Sequence, residues 1–459
     1  MTQPGSPRAA ATLPGLTDAR IAAADILADL RAGALLDAAF DRHVRLLDAR
    51  DRRWTQELVY GMLRRRSLHD QLLGARVNGG LARLDPDVID LLRLGTQQLL
   101  HMRSVPPYAA IAQTVELAKR RHGLGASKLV NAVLRRLDRE RESPVTPASV
   151  PPPGQRTDAT DPMDALATAH SHPRWLVARW VARWGADATR ALLEANNQEA
   201  PLVVRPFGVV REQLEAMLEA ARVEVEEVPL VKDSLRIGLD GPLAALGAFQ
   251  QGLLFVQDPA ATLVTQYAAF PAGSVVVDLC SAPGGKTVEL SRSARLVVGA
   301  DASYVRLARL RETIARLDLL NVRAVVSDAR TSAFGPVDAV LVDAPCTGTG
   351  TFRRHPDARW RLRPSDIAVM AAVQRSILRG AATAVRPSGL LVYSTCSLEH
   401  EENDTQVETF LAEHRNWTLE PPPEGTVPAD VLDAGRLRVL PHLHGTDGAF
   451  AARFRRGSK

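Results

Sequence analysis

The last two fifths of the chain, from Pro271 onward, alternate short apolar runs with stretches of helical periodicity. The runs are VVVDL, LVVGAD, AVVSDA, AVLVDAP and LLVYSTC, and segments such as YVRLARLRETIARL lie between them. Continuous Val- and Leu-rich strands that alternate with helices are typical of a parallel sheet covered by helices on both faces. Ligands of such α/β folds bind beyond the carboxyl ends of the strands, so the residues that follow each run are candidate site residues.

The first third of the chain has a different pattern. From Asp18 to Glu142, segments such as WTQELVYGMLRRR, DVIDLLRLGTQQLLHM, IAQTVELAKRR and SKLVNAVLRRL repeat apolar residues at three- and four-residue steps. This periodicity predicts an all-helical domain over residues 18–142. Residues 1–17 lack it and are expected to form a disordered tail. Residues 143–170 are rich in proline and have no apolar periodicity, which indicates a linker.

Residues 171–270 are predicted to form a small α+β module, with short strands PLVVRPF and SLRIGL around the helix VREQLEAMLEAARV. Its first helix carries Trp175, Trp180 and Trp184. These side chains could stack on bases, but at this spacing tryptophans more often belong to a core. Residues 271–459 form the α/β domain, so the length of 459 residues is divided among several domains.

The charge of the chain is compatible with a nucleic-acid partner. Its net charge is +5 and its isoelectric point about 9.3, and residues 1–142 carry about seven more basic than acidic side chains. An arginine-rich segment matches a phosphate backbone, although a GC-rich codon bias would also replace lysine by arginine. No apolar run approaches the length of a membrane span. We therefore expect a cytoplasmic monomer that does not bind membranes.

The three cysteines, Cys280, Cys346 and Cys396, are too few for a disulfide framework. They include no CxxC motif or Cys/His pair at metal-ligand spacing, so no metal is expected. Each lies at the end of a strand-like run or just beyond it, which makes all three candidate site residues.

Acidic residues and a glycine turn follow successive strands. Asp301, Asp328 and Asp343 end the second, third and fourth runs, and an acidic side chain at Asp301 could accept both hydroxyls of a ribose. Any one of them could instead cap a helix, but together they suit the sulfonium and ammonium of S-adenosylmethionine. The GxGxxG motif that usually binds the rival cofactor NAD is absent from this chain. The GxxxxGK[ST] spacing of a Walker loop is absent as well. The turn after the first run, a candidate cofactor loop, contains Cys280, Ser281, Ala282, Pro283, Gly284, Gly285 and Lys286.

Four blocks, VVVDLCSAPGGKT, VDAPCTGTGTFRRHPDARW, LLVYSTCSLEHEEND and DGAFAARFRR, resemble the Fmu/Sun family of RNA 5-methylcytosine methyltransferases. ELVYG, LLRLG and ASKLVNAVLR resemble the NusB-type RNA-binding fold. The likeness covers nearly the whole chain outside the tail and the linker. Ser281 and Thr347 stand where the family usually has Ala and Ser, which leaves the chemistry intact. VVRPF is atypical in the middle module and puts details of RNA contact in doubt.

The resemblance implies a NusB-like domain, a small RNA-binding module and a Rossmann-like class I methyltransferase domain. It implies methylation of cytosine carbon 5 in RNA, above all small-subunit (16S) ribosomal RNA, with S-adenosylmethionine as cofactor. A thiolate that adds to C6 makes C5 enamine-like, and a carboxylate on the Watson–Crick edge, Asp343, assists protonation at N3. In this family the Thr-Cys residue attacks, here Cys396, and the Pro-Cys residue, here Cys346, helps release the product.

The sequence leaves several alternatives open for the roles of the cysteines and for the function of the chain. DNA 5-methylcytosine enzymes attack with a Pro-Cys cysteine, which would reverse the two roles, and both cysteines could simply be buried small hydrophobes. The chain could be a non-catalytic RNA-binding assembly factor, although its nucleophile and cofactor loop look intact, or its substrate could be transfer RNA.

Two polar segments follow Cys346 and Cys396 in the sequence. RRHPDARW (353–360) offers two arginines, His355 and Trp360 for phosphate contact and base stacking. A capped surface helix is the alternative for this segment. EHEEND (399–404) is predicted to be a solvated helix start with no metal role.

Overall fold

The computed structural model describes residues 15–140, 161–239, 241–331 and 333–458. Residues 1–14 of the predicted tail and 143–160 of the predicted linker lie outside the described residues. The chain divides into two compact units, Met1–Ala182 and Arg183–Lys459. No helix in the described part of the chain is both long and apolar enough to span a membrane.

The described residues of the N-terminal unit form helices joined by turns and short loops, as the apolar periodicity predicts. Its core contains Ile26, Leu58, Leu92 and Leu134, all buried. The described helices up to the unit boundary are α1 (Asp18–Arg31), α2 (Leu36–Val44), α3 (Ala49–Arg64), α4 (Arg66–Gly74), α5 (Pro86–His101), α6 (Pro107–Glu140), α7 (Pro162–Ala169) and α8 (Arg174–Trp184).

Helices α6 and α7 differ from the sequence expectations. Two predicted segments form the two halves of α6, and the left-handed backbone of Gly123 (φ 77°) interrupts it between them. Part of the predicted linker forms α7. The side chain of Asp161 accepts a hydrogen bond from Met163 N at 3.0 Å, and Pro162 occupies the first helical turn. This cap, followed by residues that favour helix, explains why the end of the linker is ordered.

The first sheet of the C-terminal unit is small and antiparallel, in the order β2-β3-β1-β4. Its apolar core includes Val204, Leu214, Leu235 and Leu254. The elements of this part are α9 (Ala186–Asn197), β1 (Leu202–Pro206), α10 (Arg211–Ala220), β2 (Glu224–Glu227), β3 (Leu235–Gly238), α11 (Gly247–Gln250), β4 (Leu254–Val256) and α12 (Pro259–Ala268).

The second sheet carries the predicted strands. Its described elements are β5 (Val275–Leu279), α13 (Gly285–Ser291), β6 (Leu296–Asp301), α14 (Tyr304–Arg316), β7 (Val322–Val326), β8 (Val337–Asp343), α15 (Ala358–Arg361), α16 (Pro364–Ala384), β9 (Val385–Thr395), α17 (Asp404–Glu413), β10 (Trp417–Leu419), β11 (Leu432–Asp433), β12 (Arg436–Val439), α18 (Pro441–His444) and β13 (Ala449–Arg456).

The parallel arrangement predicted for the five apolar runs is confirmed, and additional antiparallel strands make the whole sheet mixed. Strands β7-β6-β5-β8-β9 are parallel neighbours. Beyond β9 the order continues as β13-β12-β11, with β10 also on β13, and all of these pairings are antiparallel. The closing AFAARFRR segment forms β13 beside β9. Its apolar run carries no mark of strand direction, so its sequence could not distinguish the two orientations.

Successive residues of the central strands pack on opposite faces of the sheet. Leu341 and Val392 belong to one apolar cluster together with Leu263 and Tyr267 of α12. Val340 and Leu391 belong to the other. Because both faces are covered, each strand needs a continuous apolar run instead of an alternating one. This requirement explains the sequence pattern from residue 271 onward.

Two histidines are buried in the N-terminal unit. His69 of α4 is fully buried and stacks on His101 of α5 with ring centroids 5.5 Å apart. Neither ring nitrogen of His69 has a hydrogen-bond partner among the described residues. Burial, followed by the neighbouring charges, holds the pKa of His69 well below its usual value, and burial lowers the pKa of His101 to about 4. Both rings are therefore neutral in the folded unit.

We expect the N-terminal unit to lose stability as the pH falls from about 6.5 towards 4, because unfolding then takes up protons on these histidines. The loss is about 1.4 kcal/mol per pH unit for each histidine that titrates only when unfolded. Denaturant unfolding at a series of pH values, followed by hydrogen exchange of α4 and α5, measures it. The His69→Gln/His101→Gln variant should show a flatter profile in this window, and an unchanged slope would contradict the assignment.

Candidate active site

The predicted cofactor loop follows β5 and runs directly into α13. Cys280 (φ 62°) and Gly284 (φ 114°) both have left-handed backbone, Ala282 is half-buried and Pro283 is exposed. A Cβ on Gly284 would lie 2.6 Å from Leu310 Cδ1, and one on Gly299 of β6 would lie 2.7 Å from Leu310 Cδ2. Both glycines therefore make room for the side chain of Leu310, which packs against the loop and against β6.

Three buried oxygens at the ends of these two strands have no hydrogen-bond partner in the described chain: Asp278 Oδ1, Ser281 Oγ and Asp301 Oδ2. The other oxygen of Asp301 accepts from Ser303 N and Arg306 Nη2, both at 2.8 Å. Buried polar atoms are normally paired, so these three atoms around one loop are available to accept hydrogen bonds from a ligand with hydroxyl or amino groups.

Asp278 is a site residue that the sequence analysis missed. It is fully buried in β5, and its Oδ2 accepts from Thr287 Oγ1 at 2.5 Å. Burial, together with the negative charges of Asp343 and Asp301, raises the pKa of Asp278 to about 7 despite that hydrogen bond. The signal was available, since a carboxylate within a run of valines needs a reason for its burial.

Lys286 and Asp343 form an ion pair at the opening of α13 and the end of β8. Lys286 Nζ lies 2.7 Å from Asp343 Oδ2, and Asp343 Oδ1 accepts from Ser394 Oγ at 3.1 Å. Burial lowers the pKa of Lys286, but the attraction of Asp343 outweighs it and the net shift is upward. Lys286 is therefore an ammonium ion at neutral pH.

The side chains of Cys346 and Cys396 contact each other. Asp343 of β8 is paired with Ser394 of β9, so the loops after these strands leave the sheet side by side. Cys346 Sγ and Cys396 Sγ lie 3.2 Å apart. The hydrogen bond to Cys396, then burial, raise the pKa of Cys346 well above its ordinary value. Two adjacent thiols beside a lysine–aspartate pair can supply a nucleophile and a proton donor to one substrate.

Cys280 differs from the other two thiols. Burial, followed by the charges of Asp343, Asp301 and Asp278, raises its pKa to about 12. A thiol in this environment is a poor nucleophile. The same electrostatic contacts show that these three acidic side chains surround the cofactor loop.

Asp328 lies outside this acidic group. It follows β7, and its side chain is 39% exposed. Arg330 Nε donates to both carboxylate oxygens of Asp328 at 3.0 Å, and Arg330 Nη2 donates to Oδ2 at 2.6 Å. These hydrogen bonds hold the pKa of Asp328 at about 2. The neighbouring Ser327 N donates to Asp301 O at 3.1 Å, which joins the ends of β6 and β7.

Residues 399–404 do lead into a helix, since α17 begins at Asp404, but the expectation that this segment is solvated is wrong. Glu399, Glu402, Asn403 and Asp404 are all buried. Asn403 Oδ1 accepts from Thr395 Oγ1 at 2.6 Å. Donors from distant parts of the chain compensate for burying these polar groups. The local sequence could not reveal those donors.

The interpretation of Arg353 and Arg354 as phosphate ligands is also wrong. Both guanidinium groups bind the same two buried carboxylates, Asp258 and Asp447, at distances of 2.5–2.7 Å. Two arginines and two aspartates leave no net charge for a phosphate. Arg359, in the same segment, is fully buried and donates to Asn197 Oδ1 at 2.7 Å.

The atypical VVRPF strand and the tryptophan helix carry structural side chains. Arg205 of β1 is buried and pairs with Glu289 of α13. Trp180 is fully buried, as the core interpretation predicts, and Trp175 and Trp184 are half-buried. Among the described residues, no three His, Cys, Asp or Glu side chains are grouped so as to hold a metal ion.

A parallel sheet with an antiparallel strand inserted beside β9, and a glycine loop and acidic residues at its carboxyl edge, defines a Rossmann-like methyltransferase. Family models agree with this class. Residues 268–455 match "16S rRNA methyltransferase RsmB/F", residues 17–139 match the NusB family, and residues 172–244 match the RsmF/B-like ferredoxin-like domain. The chain belongs to the RsmB/F family of ribosomal RNA methyltransferases.

Individual relatives cover almost the whole chain. A probable ribosomal RNA small subunit methyltransferase B of Bacillus subtilis is 35% identical over 87% of this chain and 89% of its own. The corresponding protein of Vibrio cholerae is 34% identical over 88% and 89%. The crystal structure of PH0851 covers 97% of this chain and 99% of its own, with a TM-score of 0.78 and 26% identity. The protein is therefore an RNA methyltransferase with a NusB-like N-terminal domain.

Gly350 lies where the two cysteine loops contact each other, so a side chain at this position is expected to be disruptive. Gly350 N donates to Cys396 O at 2.9 Å, and a Cβ on Gly350 would lie 2.6 Å from that oxygen and 2.8 Å from Gly448 Cα. Because backbone atoms cannot move aside cheaply, we expect Gly350→Ala to destabilise the protein by about 1–3 kcal/mol.

The same substitution should separate the two loops and reduce methyl transfer to RNA. Thermal unfolding and incorporation of labelled methyl groups measure both effects. Gly247→Ala, where the nearest atom would lie 3.8 Å away, is the matched control. Equal behaviour of the two variants would contradict the prediction.

Proposed function

We propose that the protein methylates carbon 5 of a cytosine in 16S ribosomal RNA, with S-adenosylmethionine as methyl donor and a covalent bond between Cys396 and C6. The observation that carries the proposal is the pair of sulfur atoms 3.2 Å apart, beside the Lys286–Asp343 ion pair and next to the glycine loop. The names of the curated relatives support small-subunit ribosomal RNA as substrate.

The unpaired polar atoms at the ends of β5 and β6 fit S-adenosylmethionine. Asp301 Oδ2 would accept from the ribose hydroxyls, the loop Cys280–Lys286 would hold the methionine part together with Asp278 and Asp343, and Asp328 would lie near the adenine. When bound, this cofactor supplies an electrophilic methyl group. The buried negative charges favour its sulfonium and ammonium.

In this mechanism Cys396 attacks C6 as a thiolate, which makes C5 nucleophilic. Lys286 Nζ is hydrogen-bonded to Asp343, so the Lys286 ammonium can pass a proton through Asp343 to N3 of the base as the thiolate adds, and the proton returns by the same route when the adduct breaks down. Release requires a base, in the simplest case water, to take the C5 proton, so that the C5–C6 double bond forms again and the C6–Sγ bond breaks with Cys396 leaving as a thiolate. Cys346 assists by hydrogen bonding to the departing sulfur, from which it lies 3.2 Å.

Residues 18–142 and 171–270 are proposed to deliver RNA to residues 271–459, with 143–170 as the connection. The NusB-family match and the excess of basic residues in the first 142 support this role. The target cytosine has to be single-stranded or unstacked to reach two thiols at the edge of a sheet.

The cofactor assignment is tested at Asp301. Asp301→Ala should weaken S-adenosylhomocysteine binding at least about tenfold in calorimetry, because a charged hydrogen-bond acceptor for the ribose is lost. Asp301→Asn keeps the bond to Ser303 N and should bind with intermediate affinity. Asp433→Ala removes an exposed carboxylate and serves as the control. Wild-type affinity in Asp301→Ala would refute the cofactor position.

The division of labour between the cysteines is tested by trapping. Cys396→Ala should abolish methylation and form no covalent RNA complex. Cys346→Ala should still attack and transfer the methyl group but remain bound to the methylated RNA. The adduct would be a heat-resistant, S-adenosylmethionine-dependent shifted band on a denaturing gel.

The wild-type enzyme is the control and should form product without a trapped adduct. An adduct with Cys396→Ala and none with Cys346→Ala would reverse the two roles. A fully active Cys396→Ala enzyme would refute the covalent mechanism. Bisulfite sequencing of the treated 16S ribosomal RNA tests whether the product is 5-methylcytosine.

A further inference from the structure

Glu402 is a fully buried carboxylate in the segment that follows Cys396. Its Oε2 accepts from Thr347 N and from Gln374 Nε2, both at 2.9 Å. Its Oε1 accepts from Ser397 Oγ at 2.6 Å and from Thr347 Oγ1. All four donors are neutral groups, so hydrogen bonds alone compensate for the loss of hydration of this carboxylate.

Glu402 connects the loops that carry the two cysteines. Thr347 directly follows Cys346, and Ser397 directly follows Cys396. Gln374 of α16 also donates to Pro345 O at 2.9 Å, which fixes the residue before Cys346. The register between β8 and β9 determines only where the loops begin. The contacts of Glu402 lie beyond the strands and, together with the hydrogen bond from Gly350 N to Cys396 O, join the two loops.

The charges around the sulfur atoms differ between the two sides. Cys346 faces Cys396, the Glu402 carboxylate and Tyr393, whose hydroxyl donates to Glu402 O at 2.6 Å. On the other side, Lys286 interacts electrostatically with Cys396 as well as with Asp343. The Glu402 carboxylate therefore interacts with Cys346, and a nearby negative charge favours the thiol over the thiolate.

We propose that Glu402 is a positioning residue of the methyltransferase site, which holds the two cysteine loops together and keeps the proton on Cys346, so that Cys396 is the sulfur that attacks. This inference rests on the proposed function for its catalytic meaning. Its direct consequence, the protonation of Cys346, belongs to the folded chain without RNA. The raised pKa of Cys346, caused first by its hydrogen bond to Cys396, then by burial and the charges of Cys396 and Glu402, agrees with it.

Glu402→Gln separates charge from geometry. A glutamine oxygen in place of Oε2 can accept from Thr347 N and Gln374 Nε2, and its amide nitrogen can donate to the hydroxyls of Ser397 and Thr347, which both donate and accept. This variant removes only the negative charge. Glu402→Ala removes the connection as well. Glu408→Gln, which neutralises an exposed carboxylate in the adjoining helix, is the matched control.

The first measurement is the alkylation of Cys346 by iodoacetamide as a function of pH, in the full chain without RNA, followed by peptide mass spectrometry. Removing a nearby negative charge should increase the thiolate fraction, so Cys346 in Glu402→Gln should react at least about tenfold faster at pH 8 than in the wild type. Glu408→Gln should match the wild type. A wild-type alkylation profile in Glu402→Gln would overturn the proposal.

The second measurement is methyl transfer. Glu402→Ala should lower kcat at least about tenfold, with little change in KM for RNA, because the sulfur atoms are no longer held together. S-adenosylhomocysteine binding, measured in parallel, shows whether the variant is folded, and Glu402→Gln decides the question if it is not. A folded Glu402→Ala enzyme with wild-type kcat would overturn the positioning role.

The two proposals fail in different ways. If the wild-type enzyme methylates RNA at a position other than cytosine C5, the proposed function is wrong. The alkylation profile then still decides whether Glu402 controls the protonation of Cys346.

Discussion

The candidate site depends on the parallel register of β5, β6, β8 and β9. This register brings the ends of four strands to one edge, and residues more than a hundred positions apart in sequence become neighbours there. Asp343 opposite Ser394 is the pairing that matters most, because the loops carrying Cys346 and Cys396 leave the sheet from these two positions. A shift of one residue would turn every side chain of a strand to the other face, so the two covered faces protect the register.

Buried charge pairs then hold the loops beyond the sheet. Arg353 and Arg354 follow the first cysteine loop and bind Asp447, which precedes β13, and Asp258, which caps α12. The same carboxylates thus connect the active-site loop, the last strand and the helix at the end of the small sheet. Such pairs add little net stability, but removing one partner leaves an uncompensated charge, which makes the arrangement specific. Gly350 and Gly448 allow the loops to approach with backbone contact.

Sequence reasoning succeeded where local pattern decides structure. Apolar periodicity predicted α1, α3 and α5, and the apolar runs predicted the strands of the large sheet. It failed where the partner is distant. The segment EHEEND has the composition of a solvated surface, and only Thr347 and Gln374, far earlier in the chain, make Glu402 a buried residue. Likewise, the arginines after Cys346 looked available for phosphate because Asp258 and Asp447 lie about ninety residues away on either side. The local sequence of β13 did not indicate its antiparallel direction either.

The balance of charge at the sheet edge also indicates what kind of ligand the site accepts. Asp278, Asp301 and Asp343 surround the glycine loop, and two cations pair with them, Lys286 with Asp343 and Arg306 with Asp301. Repulsion from Asp343 and Asp301 adds to burial in raising the pKa of Asp278 to about 7. Full ionisation of all three carboxylates at this edge is therefore unfavourable. A cation bound there would relieve that repulsion and lower the pKa, whereas an anion would increase it. The electrostatics therefore favour a positively charged nucleoside over a dinucleotide with its two phosphates, which agrees with the proposed cofactor and needs no appeal to resemblance.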